Sequence, residues 1–154
     1  MSDETTQSII DRITVKYETP QKIIGDHVTD TFFDCIRLTP SELARLAAQA
    51  IGDSPQTYFN MAVGLAYTGV FFASAVAGGK EVGLLRHDWD FFGPSVKGKK
   101  IVLVDDVVVN GNRFKIATDK IISAGGSVVS YACIVDRSKG KFKLGPLLSS
   151  YVEN

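Results

Sequence analysis

Cysteine is scarce in this chain: Cys35 and Cys133 are the two in 154 residues, far apart and outside any CxxC pair or ligand spacing. No cysteine-built metal site follows from them, and their apolar surroundings read as reduced core positions. Net charge is lacking too, since 17 lysines and arginines balance 17 aspartates and glutamates. A surface without an excess of one sign exerts no general pull on nucleic acid or anionic lipid, so neither is expected as a partner. No apolar run approaches the roughly 20 residues of a membrane helix. The opening MSDETTQSII is acidic and polar where a secretory signal is basic and then apolar, so the expected location is cytoplasmic. Repeats, low-complexity tracts and internal linkers are also missing, which leaves one domain over residues 1–154.

What is present is an ordinary globular composition, 45% apolar and 22% charged. Ile9, Ile10 and Ile13 stand at helical spacing within an expected helix from Thr5 to Tyr17. Thr29 to Ile36 has the aromatic and β-branched content of a strand. Thr39-Pro40-Ser41-Glu42 then supplies a capping threonine, a proline at the first helical position and a glutamate at the third, predicting a helix from Pro40 to Ile51. A turn over Gly52–Gln56 leads to a strand over Tyr58–Val63, a glycine-bounded loop from Gly64 to Gly69, and an apolar helix over Val70–Ala77 closed by Gly78-Gly79. Glu81–Arg86 reads as a strand and His87–Lys99 as an aperiodic loop. Lys100–Asp105 reads as a strand covered on both faces, Arg113–Ala124 as a helix stopped by Gly125-Gly126, and Ser127–Val135 as a further strand. The tail from Lys139 has no period. Strands alternating with helices predict a mostly parallel, Rossmann-like α/β sheet flanked by helices, with ligands beyond the carboxyl ends of its strands.

Three features fall at such ends and should converge: Gly64 to Gly69, Asp105 to Arg113, and Asp136-Arg137. Two adjacent carboxylates leaving a buried strand, Asp105 and Asp106, are costly unless they meet donors or a cation, which sugar hydroxyls or Mg²⁺ would supply. Val109-Asn110-Gly111-Asn112 then enters a helix, whose N–H groups and dipole suit an anion. A plainer reading stays beside this one, in which the acids cap a strand end and Asn-Gly is an ordinary turn. His27 and His87 each read as surface or packing residues or as an acid or base. Trp89, Phe91 and Phe92 either fold back on the domain or form a stacking patch, and Tyr67 faces a similar choice.

The run IVLVDDVVVNGNRFKIA at 101–117 resembles the ribosyl-phosphate signature of type I phosphoribosyltransferases. AVGLAYTGVFFASAVA at 62–77 resembles the pyrophosphate loop of the orotate branch, YACIVDRSKG at 131–140 its penultimate strand, and FFDCIRLTP at 32–40 its N-terminal hood. The resemblance implies a hood over 1–38, an α/β core over 39–138 and a tail over 139–154. It implies transfer of ribose 5-phosphate from phosphoribosyl pyrophosphate to a nucleobase, with orotate foremost. Asp105 and Asp106 would act in catalysis by holding the ribose hydroxyls, and Mg²⁺ is the cofactor the resemblance implies, with these two acids reaching it through water. Val109, Asn110, Gly111, Asn112 and Arg113 would bind the 5′-phosphate. Leu65, Ala66, Tyr67, Thr68 and Gly69 would bind pyrophosphate, with Arg86 in a catalytic role and Arg137 near the base. A homodimer is a further expectation of the resemblance.

The chain departs from the family at defined positions. Val109, Asn110 and Arg113 stand where hydroxyl side chains are usual, although amides and a guanidinium also donate to phosphate. His87 replaces a lysine, and the segment through Asp90-Phe91-Phe92-Gly93 is shorter, acidic and aromatic where the family has a cationic clamp. A second reading is therefore a nucleotide-binding or regulatory protein of the same fold, and a third is a nucleoside-processing hydrolase.

Overall fold

The computed structural model describes residues 5–24, 27–52 and 58–154. Helix α1 (Thr6–Ile13) starts where the Thr5 hydroxyl accepts the Ser8 N–H at 3.1 Å, and it buries Ile9, Ile10 and Ile13. It ends before the expected Tyr17. Thr14, Val15 and Lys16 instead begin strand β1 (Thr14–Ile24), opposite Phe33, Phe32 and Thr31 of β2 (His27–Phe33) in an antiparallel pair. β-branched residues with a cross-strand partner favour the strand over another helical turn. β2 stops at Phe33, which pairs with Thr14 at the very start of β1, so it falls short of the expected Ile36 and Cys35–Arg37 forms a 3₁₀ turn. The His27 side chain lies outside the described residues, as does most of the turn expected over Gly52–Gln56.

Helix α2 (Pro40–Ile51) forms as its capping sequence dictates: Thr39 and Glu42 satisfy each other's backbone N–H, with Pro40 at the first position. Strand β3 (Met61–Leu65) follows, then α3 (Thr68–Ala77), β4 (Glu81–Leu85) and β5 (Phe91–Phe92). The chain continues through β6 (Lys100–Val104), β7 (Val107–Val108), α4 (Asn112–Ser123), β8 (Ser127–Asp136) and β9 (Leu147–Val152). The glycine loop is shorter than expected, because β3 carries on through Leu65 and α3 starts at Thr68. Only Ala66 and Tyr67, joined by a cis peptide bond, lie between them.

Among the described residues the main sheet runs β5-β4-β3-β6-β8-β7, with β9 on the other edge of β8. Every pairing in it is parallel except β4 with β5. Strands β5, β7 and β9 were not expected from the sequence. Two of them are two residues long, and the third is a sheet-edge strand inside the tail that showed no period. All five residues of β3 and four of β6 are buried, as parallel strands with both faces covered must be. One core layer joins α1, α2 and α3 to the sheet through Ile9, Leu46, Ala62 and Phe72. The other joins α4 to its opposite face through Met61, Leu103, Phe114 and Ile121. Trp89 and Phe91 pack against this second layer, so these two loop aromatics fold back on the domain. Cys35 and Cys133 are free and buried, and no described helix is long and apolar enough to cross a membrane.

Candidate functional site

The carboxyl ends of β3, β4 and β6 open on one edge, and the acid pair stands at its centre. Asp105 is 3% exposed at the end of β6, and its Oδ1 accepts the Asp106 N–H at 2.9 Å. Asp106 is half-buried and accepts the Val107 N–H at 2.7 Å. Burial first, and the neighbouring Asp106 carboxylate second, push the Asp105 carboxyl well above the usual aspartate range, while Arg113 pulls it down. Burial, with the carboxylates of Asp106 and Asp105 behind it, likewise raises the Cys35 thiol, which lies within electrostatic reach of the acids.

From Asp106 the chain turns through Val109 and Asn110 into α4. The Asn110 side chain accepts the Asn112 N–H at 3.0 Å, which sets the turn, and Gly111 takes φ of +77° at the helix start. The Phe142 ring lies 3.0 Å from where a Cβ on Gly111 would sit, and Phe142 in turn meets Phe114 and Tyr131 edge-on. A side chain at this position would meet both backbone strain and that ring. The turn and its flanks, Asp105 and Val107 to Phe114, line a recess with about 20 Å³ of room for solvent.

Arg113, in the first turn of α4, ties the edge together. Its Nη1 donates to both oxygens of Asp105, at 3.2 and 3.0 Å, and its Nη2 donates to the Ala66 carbonyl at 2.8 Å. The loop after β6 and the turn after β3 therefore share one guanidinium. Gly69 lets them approach: a Cβ there would stand 2.9 Å from the Val104 oxygen and 3.0 Å from the Asp105 Cα. Leu65 has a fully buried side chain and offers only its backbone, whereas Tyr67 is 67% exposed and Thr68 is half-buried at the mouth of the edge. Tyr67 meets His87 edge-on, with ring centroids 4.4 Å apart. Next to it Arg86 is exposed, with its guanidinium over the Phe92 ring at 5.5 Å. The structure thus brings Asp105, Asp106, the segment from Ala66 to Gly69, the segment from Val109 to Arg113, and Arg86 to one edge.

Arg137 is placed differently. It follows β8 but is 7% exposed, and it donates to Glu153 at 3.0 Å, to the Thr31 carbonyl at 2.9 Å and to the Thr29 hydroxyl at 2.9 Å. The Phe33 ring lies 5.0 Å below its guanidinium. It fastens the β1–β2 pair and the C-terminal strand to the end of β8, and its side chain is taken up by protein groups. Sequence reasoning missed the Ala66 carbonyl as a partner of Arg113, the proximity of Cys35 to the acids, and Phe142 under the turn. Each depends on contacts between distant segments, and Phe142 gave a signal only as the lone aromatic in a lysine-rich run.

The chain matches no family model. It is 30% identical over 143 residues to an orotate phosphoribosyltransferase of Carboxydothermus hydrogenoformans, covering 81% of this chain and 73% of that protein. An orotate phosphoribosyltransferase of Sulfurisphaera tokodaii is 39% identical over 93 residues, which are 55% of this chain and 48% of the relative. The chain spans about half the length, or less, of the first curated relatives it matches. Among solved structures, the Mycobacterium tuberculosis orotate phosphoribosyltransferase in complex with 5-phospho-α-D-ribosyl 1-diphosphate shares the fold. It matches with a TM-score of 0.74 at 19% identity, covering 96% of this chain and 93% of that one.

Proposed function

This chain belongs to the orotate phosphoribosyltransferase family and has the type I phosphoribosyltransferase fold, and from that premise we propose that it transfers ribose 5-phosphate from phosphoribosyl pyrophosphate to a nitrogenous base, a pyrimidine such as orotate. One observation carries the reading: the acid pair, the Val109–Arg113 turn and the Ala66–Tyr67 turn converge at the carboxyl edge of a parallel sheet, joined by Arg113. Strand order and twist make that edge the binding edge of such folds.

In this reading the 5′-phosphate sits on the N–H groups at the start of α4, with Gly111 giving close approach and Asn110, Asn112 and Arg113 as side-chain donors. Asp106, the more accessible acid, accepts from the ribose hydroxyls, with Asp105 behind it. Leu65 through Gly69 present backbone to the pyrophosphate. Arg86 faces the negative charge that grows there as the bond from ribose C1′ to the pyrophosphate oxygen breaks and the bond from C1′ to the base nitrogen forms. Arg137 serves the base position from behind, by holding β2. Catalysis of this kind is positioning plus electrostatics.

Phosphoribosyltransferases generally use Mg²⁺. The residues here do not fit a directly held ion. Both Asp105 oxygens already accept from a guanidinium, and among the described residues no three His, Cys, Asp or Glu stand together. We further read the chain as a cytoplasmic homodimer. An apolar cleft of Pro40, Leu43, Val70 and Phe71, the last 52% exposed, supports the pairing, and light scattering after size-exclusion chromatography tests it. For the reaction, the expected outcome is loss of orotate absorbance with phosphoribosyl pyrophosphate and Mg²⁺ present. Absence of turnover with every nucleobase would overturn the transfer reading, and tight nucleotide binding without turnover would favour a binding protein.

A further inference from the structure

Arg113 is the departure from the family pattern that the structure uses most. A guanidinium serving only to neutralise a buried acid needs no second partner. This one spans from Asp105 to the Ala66 carbonyl, 47 residues away, and so sits between the two loops that must hold opposite ends of a phosphoribosyl ligand. Its fork is rigid and always charged, with five N–H donors. Three contacts, two of them from one nitrogen, leave donors to spare, and the side chain is 36% exposed toward the recess. A divalent cation brought between the same two loops would meet this fixed positive charge at short range and would find both Asp105 oxygens already accepting from it.

We propose that Arg113 is the resident cation of the site, standing between Asp105 and the Ala66 carbonyl, and that it makes binding of the phosphoribosyl ligand independent of a divalent metal. The inference rests on the phosphoribosyl reading above and deepens it. Arg113 holds the acid loop and the pyrophosphate-side loop at a set spacing before ligand arrives, and its free N–H groups take the ligand's phosphate oxygens. It is a positioning residue for the acid and a ligand for the anion at once.

Calorimetry with phosphoribosyl pyrophosphate tests this on the full chain, in EDTA and in excess Mg²⁺. The wild-type dissociation constant is expected to differ less than about threefold between the two media. Arg113→Thr is expected to lose about tenfold or more in EDTA and to recover most of that in Mg²⁺, with Arg113→Lys in between because it keeps the charge without the fork. Wild-type binding that improves tenfold or more with Mg²⁺ overturns the proposal without any variant, so a poorly folding Arg113→Thr does not rescue it. Equal metal dependence in wild type and a folded Arg113→Thr overturns it as well. Absence of binding in both media overturns the phosphoribosyl reading and this proposal with it, whereas metal-requiring binding overturns the proposal alone.

Discussion

Arg113, in the first turn of α4, and Arg137, just past the end of β8, have surroundings that give them opposite duties. Arg113 is about a third exposed, pairs with one buried acid and one carbonyl, and keeps donors facing a recess. Arg137 is almost wholly buried, with every contact spent on Thr29, Thr31, Glu153 and the face of Phe33. The first can take on a ligand through its spare donors while keeping both protein partners. The second cannot, because removing any partner leaves charge or a carbonyl unsatisfied in a dry place. The type of residue therefore says less about function than the number of its donors left unspent.

The largest effect that would break this contrast concerns Arg137. Arg137→Ala strips the partner from half-buried Glu153 and frees the β1–β2 pair, so unfolding stability should drop by about 3 kcal/mol, the low end for breaking a buried ion pair. Denaturant melts give the magnitude, and hydrogen exchange should show protection lost first in β2 and β9. A drop under about 1 kcal/mol would mean that Arg137 is not a clamp, and would return it to the list of ligand-facing residues.

A pH series sharpens the other half of the contrast. Burial and Asp106 raise the Asp105 carboxyl in the folded state, which therefore holds its proton more tightly than the unfolded chain does. Stability from this group is fully present below the ordinary aspartate value and is lost as pH rises from there through the raised one. The expected result is a wild-type melting temperature that falls across that window more steeply than that of Asp105→Asn, which cannot ionise. Parallel curves would show that Arg113 neutralises Asp105 completely.

How far the sequence could be read follows the same division. The strand, the two acids, the turn and the helix from Ile101 to Ala117 are local, so period, capping logic and glycine placement suffice to read them. The Thr39–Glu42 cap of α2 is equally local, and it forms as its sequence predicts. The duties of Arg137 are not local: Thr31 and Thr29 lie 106 and 108 residues away, and no window of sequence holds both ends. β1 was hidden because Thr14 follows a true helical stripe and becomes a strand only opposite Phe33. β9 was hidden because a six-residue strand at the sheet edge carries a mixed burial pattern, with only Ser150 fully buried, through a bond to the Leu46 carbonyl. At the site, the positions of Asp105, Asp106 and Gly111 were readable, but the meeting of Arg113 with Ala66 was not, since it depends on how closely α3 approaches β6 at Gly69.

The smallest effect tests whether Arg86 resembles Arg113 more than Arg137. Arg86 has an aromatic face for a partner, the half-exposed ring of Phe92, and no carboxylate pairs with it among the described residues. An exposed cation–π contact is worth about 0.5–1 kcal/mol, too little to be a structural clamp but enough to hold a flexible side chain near the pyrophosphate side of the edge. Phe92→Ala should therefore leave the melting temperature nearly unchanged while raising the KM for phosphoribosyl pyrophosphate roughly two- to fivefold, that same energy read as binding. If stability falls and KM holds, the ring is packing and Arg86 owes it nothing. If KM rises alone, the short aromatic segment after β4 orients a cation for ligand, and donors left unspent mark this arginine as they mark Arg113.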